Sequence, residues 1–323
     1  MSFQFLPHVD APNNIPFFIV MFNFAKYCWF LTGPTASGKS DLAIDWALEH
    51  NAEILSMDSA AIYRRMDIGT AKPSPEQRAA VPHHLLDVAN PSEEFSVAQY
   101  CEAAEACVED ILARGKVPLF VGGTPLYLKA LLRGLFDGPG ADWSIRQELQ
   151  AIVDSDGLER LHAMLEEIDP VAAAKLHVND SRRIIRAIEV YRLTGKPISQ
   201  WQKEHDKPVP QEDCRVYALE VPKPELDARI AVRVDAMLAA GLIDEVRRLI
   251  QNDSPLSRTA SQAVGYREPI QWIANGEIAP MSELREEIIL HTRQLAKRQM
   301  TWFRGLSECR IINNPQSFRS ISE

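Results

Sequence analysis

Between an apolar run that ends at Thr32 and an amphipathic run that begins at Asp41, the chain reads Gly33-Pro34-Thr35-Ala36-Ser37-Gly38-Lys39-Ser40, a complete G-x-x-x-x-G-K-S phosphate loop. Glycines at both ends let consecutive backbone N–H groups converge on one anion, the following helix adds its positive end, and the lysine supplies a mobile charge. Ser40 stands where a loop of this ATP-binding type ligates a Mg²⁺ that bridges phosphates. The ligand is therefore a diphosphate or a triphosphate. Because the loop joins a strand to a helix, the chain is also bound to an α/β architecture.

Strand-like runs recur at Tyr27–Thr32, Glu53–Met57, Val117–Val121 and Arg215–Val221, with helical patterns between most of them. This alternation predicts a phosphate-loop NTPase-like fold, a mainly parallel sheet flanked by helices, with ligands beyond the carboxyl ends of its strands. Asp58 and Gly122-Gly123-Thr124, which follow two of these runs, are then expected to face the phosphate loop. From Asp142 to about Lys207 the strand signal disappears, which predicts an all-helical insertion. The expected division is an N-terminal tail (1–25), a first part of the core (26–140), the insertion (141–212) and a second part of the core with C-terminal helices (213–323).

With 323 residues, of which 46% are hydrophobic, the chain can bury one large core and a smaller lobe. Five cysteines lie scattered without a C-x-x-C pair, which indicates neither a disulfide framework nor a zinc site and suits a reducing cytoplasm. A net charge of −9 excludes wholesale coating of nucleic acid but leaves local basic patches open. The apolar stretch Ile15–Leu31 is read neither as a signal nor as a membrane span, since Asn23 and Lys26 interrupt it and its last third feeds the phosphate loop. Met21 is an alternative start, with Met1–Val20 as a loose tail.

Asp58, in Ser56-Met57-Asp58-Ser59-Ala60, fits a general base that withdraws a proton from an amine, and equally a cap for the next turn. Asp87 resembles the metal-side aspartate of phosphate-loop enzymes, although an ordinary strand-end role is preferred. A hydroxyl at Thr124 can cap a helix, bind a ligand, or do both, and capping alone is preferred from the sequence. Between Arg182 and Lys203 six basic residues accompany one acidic residue, Glu189, with Arg182 and Arg186 on one helical face. Arg293, Lys297, Arg298 and Arg304 interleave with Trp302 and Phe303, a mixture suited to phosphate contact and base stacking. Arg229 and Arg233, four residues apart, suit either a diphosphate or surface ion pairs.

Gly33–Ser40, Asp58–Arg64, Met66–Pro73, Pro82–Asp87, Val121–Thr124, Val264–Arg267 and Lys297–Arg304, in this order, resemble the bacterial tRNA dimethylallyltransferase family from about Lys26 to Asn314. The resemblance implies transfer of a dimethylallyl group from dimethylallyl diphosphate, held by the phosphate loop with Mg²⁺, to the exocyclic amine of the adenosine at tRNA position 37. It makes Asp58 the base and Thr124 a polar contact at the reacting centre, with Lys39 and Arg233 neutralising the departing diphosphate. Contacts to the tRNA anticodon stem-loop are implied at Asp58, Ser59, Ala60, Ala61, Thr124, Arg146, Arg182, Arg183, Ile184, Ile185, Arg186, Gln262, Ala263, Val264, Gly265, Tyr266 and Arg267. Lys297, Arg298 and Arg304 are expected along the same surface. Arg182 departs from the family in standing where many members have Gln, and no zinc-finger spacing follows the catalytic region. A cytoplasmic monomer is expected. The competing readings are an adenylate isopentenyltransferase, a small-molecule phosphate-loop kinase and a nucleic-acid-binding ATPase.

Overall fold

A computed structural model of the chain describes residues 22–134 and 138–321. The Met1–Val20 tail lies outside the described residues. Six strands, β1 (Trp29–Thr32), β2 (Ala52–Ser56), β3 (His83–His84), β4 (Val117–Gly122), β5 (Arg215–Leu219) and β6 (Arg310–Ile312), form one sheet in the order β3-β2-β4-β1-β5-β6. Every pairing in it is parallel. Several boundaries differ from the sequence reading: β2 lies one residue earlier than Glu53–Met57, β4 extends one residue past Val121, and β5 stops at Leu219 and not at Val221. Tyr27 closes a short helix, Phe24–Tyr27, because the Asn23 side chain accepts the Lys26 N–H and caps it. The edge strands β3 and β6, of two and three residues, are too short to leave a hydrophobic pattern.

Both faces of the sheet are covered, and the strands alternate between them as the pleat demands. Phe30, Leu55, Phe120, Val216 and Ala218 pack with Tyr100, Tyr127 and Leu128 from the helices Val97–Ala113 and Pro125–Arg133. Trp29, Leu31, Ile54, Leu119, Tyr217 and Leu219 pack on the other face with Leu42 and Trp46 of the helix Lys39–Glu49, and with Phe318. Burial on both faces explains why these strands read as continuous apolar runs.

Residues 143–205 hold helices at Trp143–Asp156, Leu158–Ile168, Pro170–Ala173, Ser181–Thr194 and Ile198–His205. They enclose a small core of their own around Leu149, Leu161, Leu165, Ile184 and Ile188. A further core joins Ile62, Tyr63 and Met66 to the helices Lys223–Ala239, Leu242–Asp253 and Met281–Gly305. That core supports the loop after β2 and so bears directly on the site. No helix of the described residues is long and apolar enough to cross a membrane.

Candidate active site

The strand order makes β2, β4 and β1 neighbours, so the loops leaving their carboxyl ends lie side by side. These loops carry Asp58, Thr124 and the phosphate loop. The latter depends on glycine at two points. A Cβ on Gly33 would come within 2.7 Å of the Leu219 carbonyl oxygen on β5, and Gly38 holds a left-handed φ of +87° as it starts the helix at Lys39. Helix geometry leaves the first N–H groups of that helix without carbonyl partners, turned toward the loop where an anion would sit.

Lys39 crosses back over this loop, its Nζ donating to the Pro34 carbonyl at 3.2 Å. Arg229 donates to the Ser37 carbonyl at 2.9 Å and pairs with Glu225, while Arg233 donates to the Thr70 carbonyl at 3.1 Å. Burial, seconded by the Arg233 guanidinium and opposed by Asp58, lowers the Lys39 pKa to about 8. Burial also disfavours the charge on Arg233, against the pull of Asp58. Two cations thus stand near each other with Asp58 as the carboxylate in reach. Such an arrangement favours an incoming polyanion. Ser37 Oγ, buried under the loop, has no hydrogen-bond partner among the described residues.

At Asp58 the capping role expected from the sequence is present. Its Oδ1 accepts the N–H groups of Ala60 at 2.9 Å and Ala61 at 3.3 Å, which fixes the carboxylate, and neither of these bonds uses Oδ2. Thr124 occupies the N-cap of the helix Pro125–Arg133 but makes no capping bond with its side chain. Its Oγ1 instead accepts the Ser59 N–H at 3.0 Å, and its own N–H donates to the Met57 carbonyl at 3.1 Å. Capping is therefore not what its hydroxyl does; it binds the loops after β2 and β4 together. Asp87 proves to be structural, its two carboxylate oxygens taken by Lys72 at 2.7 Å and Arg78 at 3.0 Å.

Two contributors escaped the sequence reading. Gln299, 8% exposed, accepts the Thr35 N–H at 2.9 Å and donates to the Gly123 carbonyl at 2.7 Å, joining the phosphate loop to the loop of Thr124. Glu245 gathers the N–H groups of Asp67 at 3.1 Å and Ile68 at 2.9 Å, and accepts the Tyr266 hydroxyl at 2.6 Å. It thereby holds the turn whose Thr70 carbonyl aims Arg233. A basic residue also went unread: Arg258, which stands close enough to Arg182 to oppose its charge.

In the insertion, Arg146 and Arg186 converge on one carboxylate. Glu189, 0% exposed, accepts from Arg146 Nε at 2.8 Å, from Arg186 at 2.8 Å and from the Asp142 N–H at 2.8 Å. Arg183 pairs with Asp180 at 3.5 Å, while Arg182 is exposed and has no ion pair among the described residues. Ile184 is buried in the insertion core, and Tyr266 is buried on Glu245, so neither side chain can present itself to RNA. Ile185 is partly buried against the same core. In the 262–267 segment Gln262 is exposed, Ala263 and Val264 are partly covered, and Gly265 and Arg267 are tied to Glu268 by bonds of 2.8 and 2.9 Å. Lys297 and Arg298 are exposed, but Arg304 is engaged by Glu220.

Residues 61–306 match the family model described as IPP transferase. The chain belongs to the IPP transferase family. It is 48% identical over 295 residues to a tRNA dimethylallyltransferase of Rhodopirellula baltica, covering 89% of this chain and 88% of that one. To a second, from Trichlorobacter lovleyi, it is 45% identical over 291 residues, covering 90% and 95%. Among solved structures it resembles the tRNA isopentenylpyrophosphate transferase of Bacillus halodurans, with 37% identity, a TM-score of 0.63 and coverage of 89% and 90%. A eukaryotic dimethylallyltransferase acting on tRNA matches with 27% identity and a TM-score of 0.72, over 92% of this chain and 76% of that one. As a member of this family the chain has a phosphate-loop NTPase-like core with a helical insertion.

Proposed function

We propose that this member of the family transfers the dimethylallyl group of dimethylallyl diphosphate to the exocyclic amine of the adenosine at tRNA position 37. The observation that carries the reading is the placement of a fixed carboxylate, Asp58, beside a phosphate loop whose cations, Lys39 and Arg233, lean on carbonyls. The amine nitrogen forms a bond to the first carbon of the isoprenoid as the carbon–oxygen bond to diphosphate breaks, and the oxygen keeps the electron pair. Asp58 Oδ2 takes the amine proton. Lys39, Arg233 and the amides of the phosphate loop meet the charge that gathers on the leaving group, which is where preorganised donors lower a barrier most. Reaching the amine requires the adenine to leave the anticodon-loop stack.

The donor set suits Mg²⁺ held mainly by substrate. Among the described residues no cluster of three His, Cys, Asp or Glu could hold an ion, whereas Ser40, exposed at the start of its helix, offers one hydroxyl. Mg²⁺ commonly takes one or two protein oxygens with phosphate oxygens and water. Bound there, it would neutralise diphosphate charge. The protein is read as a cytoplasmic monomer.

A small-molecule kinase and an adenylate isopentenyltransferase need no basic insertion, whereas Arg182 and Arg183 lie exposed on one. The test is incubation with unmodified bulk tRNA and labelled dimethylallyl diphosphate, with AMP and ATP as acceptors in parallel, followed by digestion to nucleosides. Label on adenosine from tRNA is expected. Label on free AMP or ATP alone, or phosphoryl transfer from ATP, overturns the proposal.

A further inference from the structure

Trp143 is the most exposed aromatic side chain among the described residues, at 64%. It opens the helix Trp143–Asp156, where Asp142 fixes the backbone around it: the Asp142 carboxylate accepts the Ser144 N–H at 2.9 Å and the Ile145 N–H at 3.0 Å, and its own N–H donates to Glu189. The Arg146 guanidinium lies 5.4 Å from the centroid of the indole, with its edge pinned by two bonds to Glu189. A large apolar ring thus stands at the surface on a fixed backbone, backed by a fixed cation and open to solvent. Nothing in folding asks for this, because burying the ring elsewhere in the insertion core would be more favourable.

The surroundings say what the ring would meet. Arg146, Arg182, Arg183 and Arg186 outnumber the carboxylates that touch them, Glu189 and Asp180, within a chain whose overall charge is −9. An aromatic plane beside an excess of guanidinium groups is the combination that captures a nucleotide, phosphate on the cations and base on the ring. We propose that Trp143 is a stacking platform for an unstacked base of the bound RNA. The proposal rests on the tRNA reading above, and names a contact that the motifs of the chain do not include.

The test is Trp143→Ala and Trp143→Phe in the full chain, titrated with an anticodon stem-loop at several salt concentrations and with a fully paired duplex of the same length. Trp143→Ala is expected to weaken stem-loop binding roughly five- to a hundredfold. Its salt slope and melting temperature should stay at wild-type values, because no charge and little buried surface are lost. Trp143→Phe should recover most of the affinity, and the penalty should vanish on the duplex. Affinity of Trp143→Ala for the stem-loop within twofold of wild type overturns the platform, as does an equal penalty on the duplex. A change only in self-association would make the ring a contact between copies of the chain and overturns it too. If wild type itself binds no stem-loop, the tRNA reading fails as well, which separates the two outcomes.

Discussion

Lys39 and Arg233 of the phosphate-loop site and Arg146 and Arg186 of the insertion are held in opposite ways. In the core, Lys39 and Arg233 rest on the carbonyls of Pro34 and Thr70, neutral partners that fix direction and leave the positive charge standing. In the insertion, Arg146 and Arg186 close on the carboxylate of buried Glu189, which fixes direction and cancels part of the charge. The first arrangement keeps a field ready for charge that grows during a reaction. The second gives up field to hold a shape, as suits a surface that receives a large ligand already carrying its charge. One should therefore yield in rate when disturbed, and the other in folding and affinity.

The sharpest break comes at the carboxylate between the two core cations. Asp58→Asn keeps the acceptor for Ala60 and Ala61 but cannot take a proton, so turnover should drop roughly a hundredfold to ten-thousandfold with both substrates still bound. Rapid-quench measurement of transfer checks this, and a rate within threefold of wild type removes Asp58 from the chemistry.

Next is Lys39→Met, expected to slow transfer by roughly two to three orders of magnitude while raising the melting temperature. The sign follows from the lysine pKa, about 8 in the fold against an ordinary value of 10.5. Below pH 8 the folded state bears the cost of a charge the unfolded chain carries freely, and this cost fades as pH rises from 8 to 10. The thermal advantage of Lys39→Met should be full at pH 7 and shrink by pH 10. Donor affinity of the wild type should weaken over the same range as Lys39 loses its proton. Differential scanning fluorimetry and donor titrations at both ends of the range report the two effects.

The insertion should answer differently to its different arginines. Arg186→Ala leaves Glu189 short of a partner and is expected to cost on the order of 1–3 kcal/mol of stability. Replacing Arg182 and Arg183 with Ala should leave folding unchanged, since neither reaches Glu189, and should reduce the slope of log RNA affinity against log salt by roughly two units. The smallest effect is expected from Arg304→Ala: its side chain is already claimed by Glu220, so RNA affinity should stay within twofold of wild type.

How far the sequence could be read depended on the range of each signal. The phosphate loop, Asp58 and the glycines before Thr124 were legible as candidates because strand, turn and candidate residue are contiguous. Gln299 was not, because it acts on Thr35 and Gly123, 264 and 176 positions away, from within a helix that otherwise reads as basic. The hydroxyl of Thr124 sat at a cap position and was open to that reading; only the adjacency of β2 and β4 turns it toward Ser59. Ile184 and Tyr266 came with motifs that also hold exposed or partly exposed residues, Arg183 and Arg267 among them, and motif membership does not distinguish a contact from a support.

The bridge made by Gln299 restricts how this enzyme family member can change. A Cβ on Gly123 would lie 2.5 Å from Gln299 Nε2, so position 123 can accept a larger residue only if position 299 retreats. A side chain too short to reach Thr35 releases its N–H, and with it one tie between the two loops. Substitutions at the two positions are therefore expected to be coupled. Such coupling would join the phosphate loop to the loop of Thr124, although the chain writes them far apart.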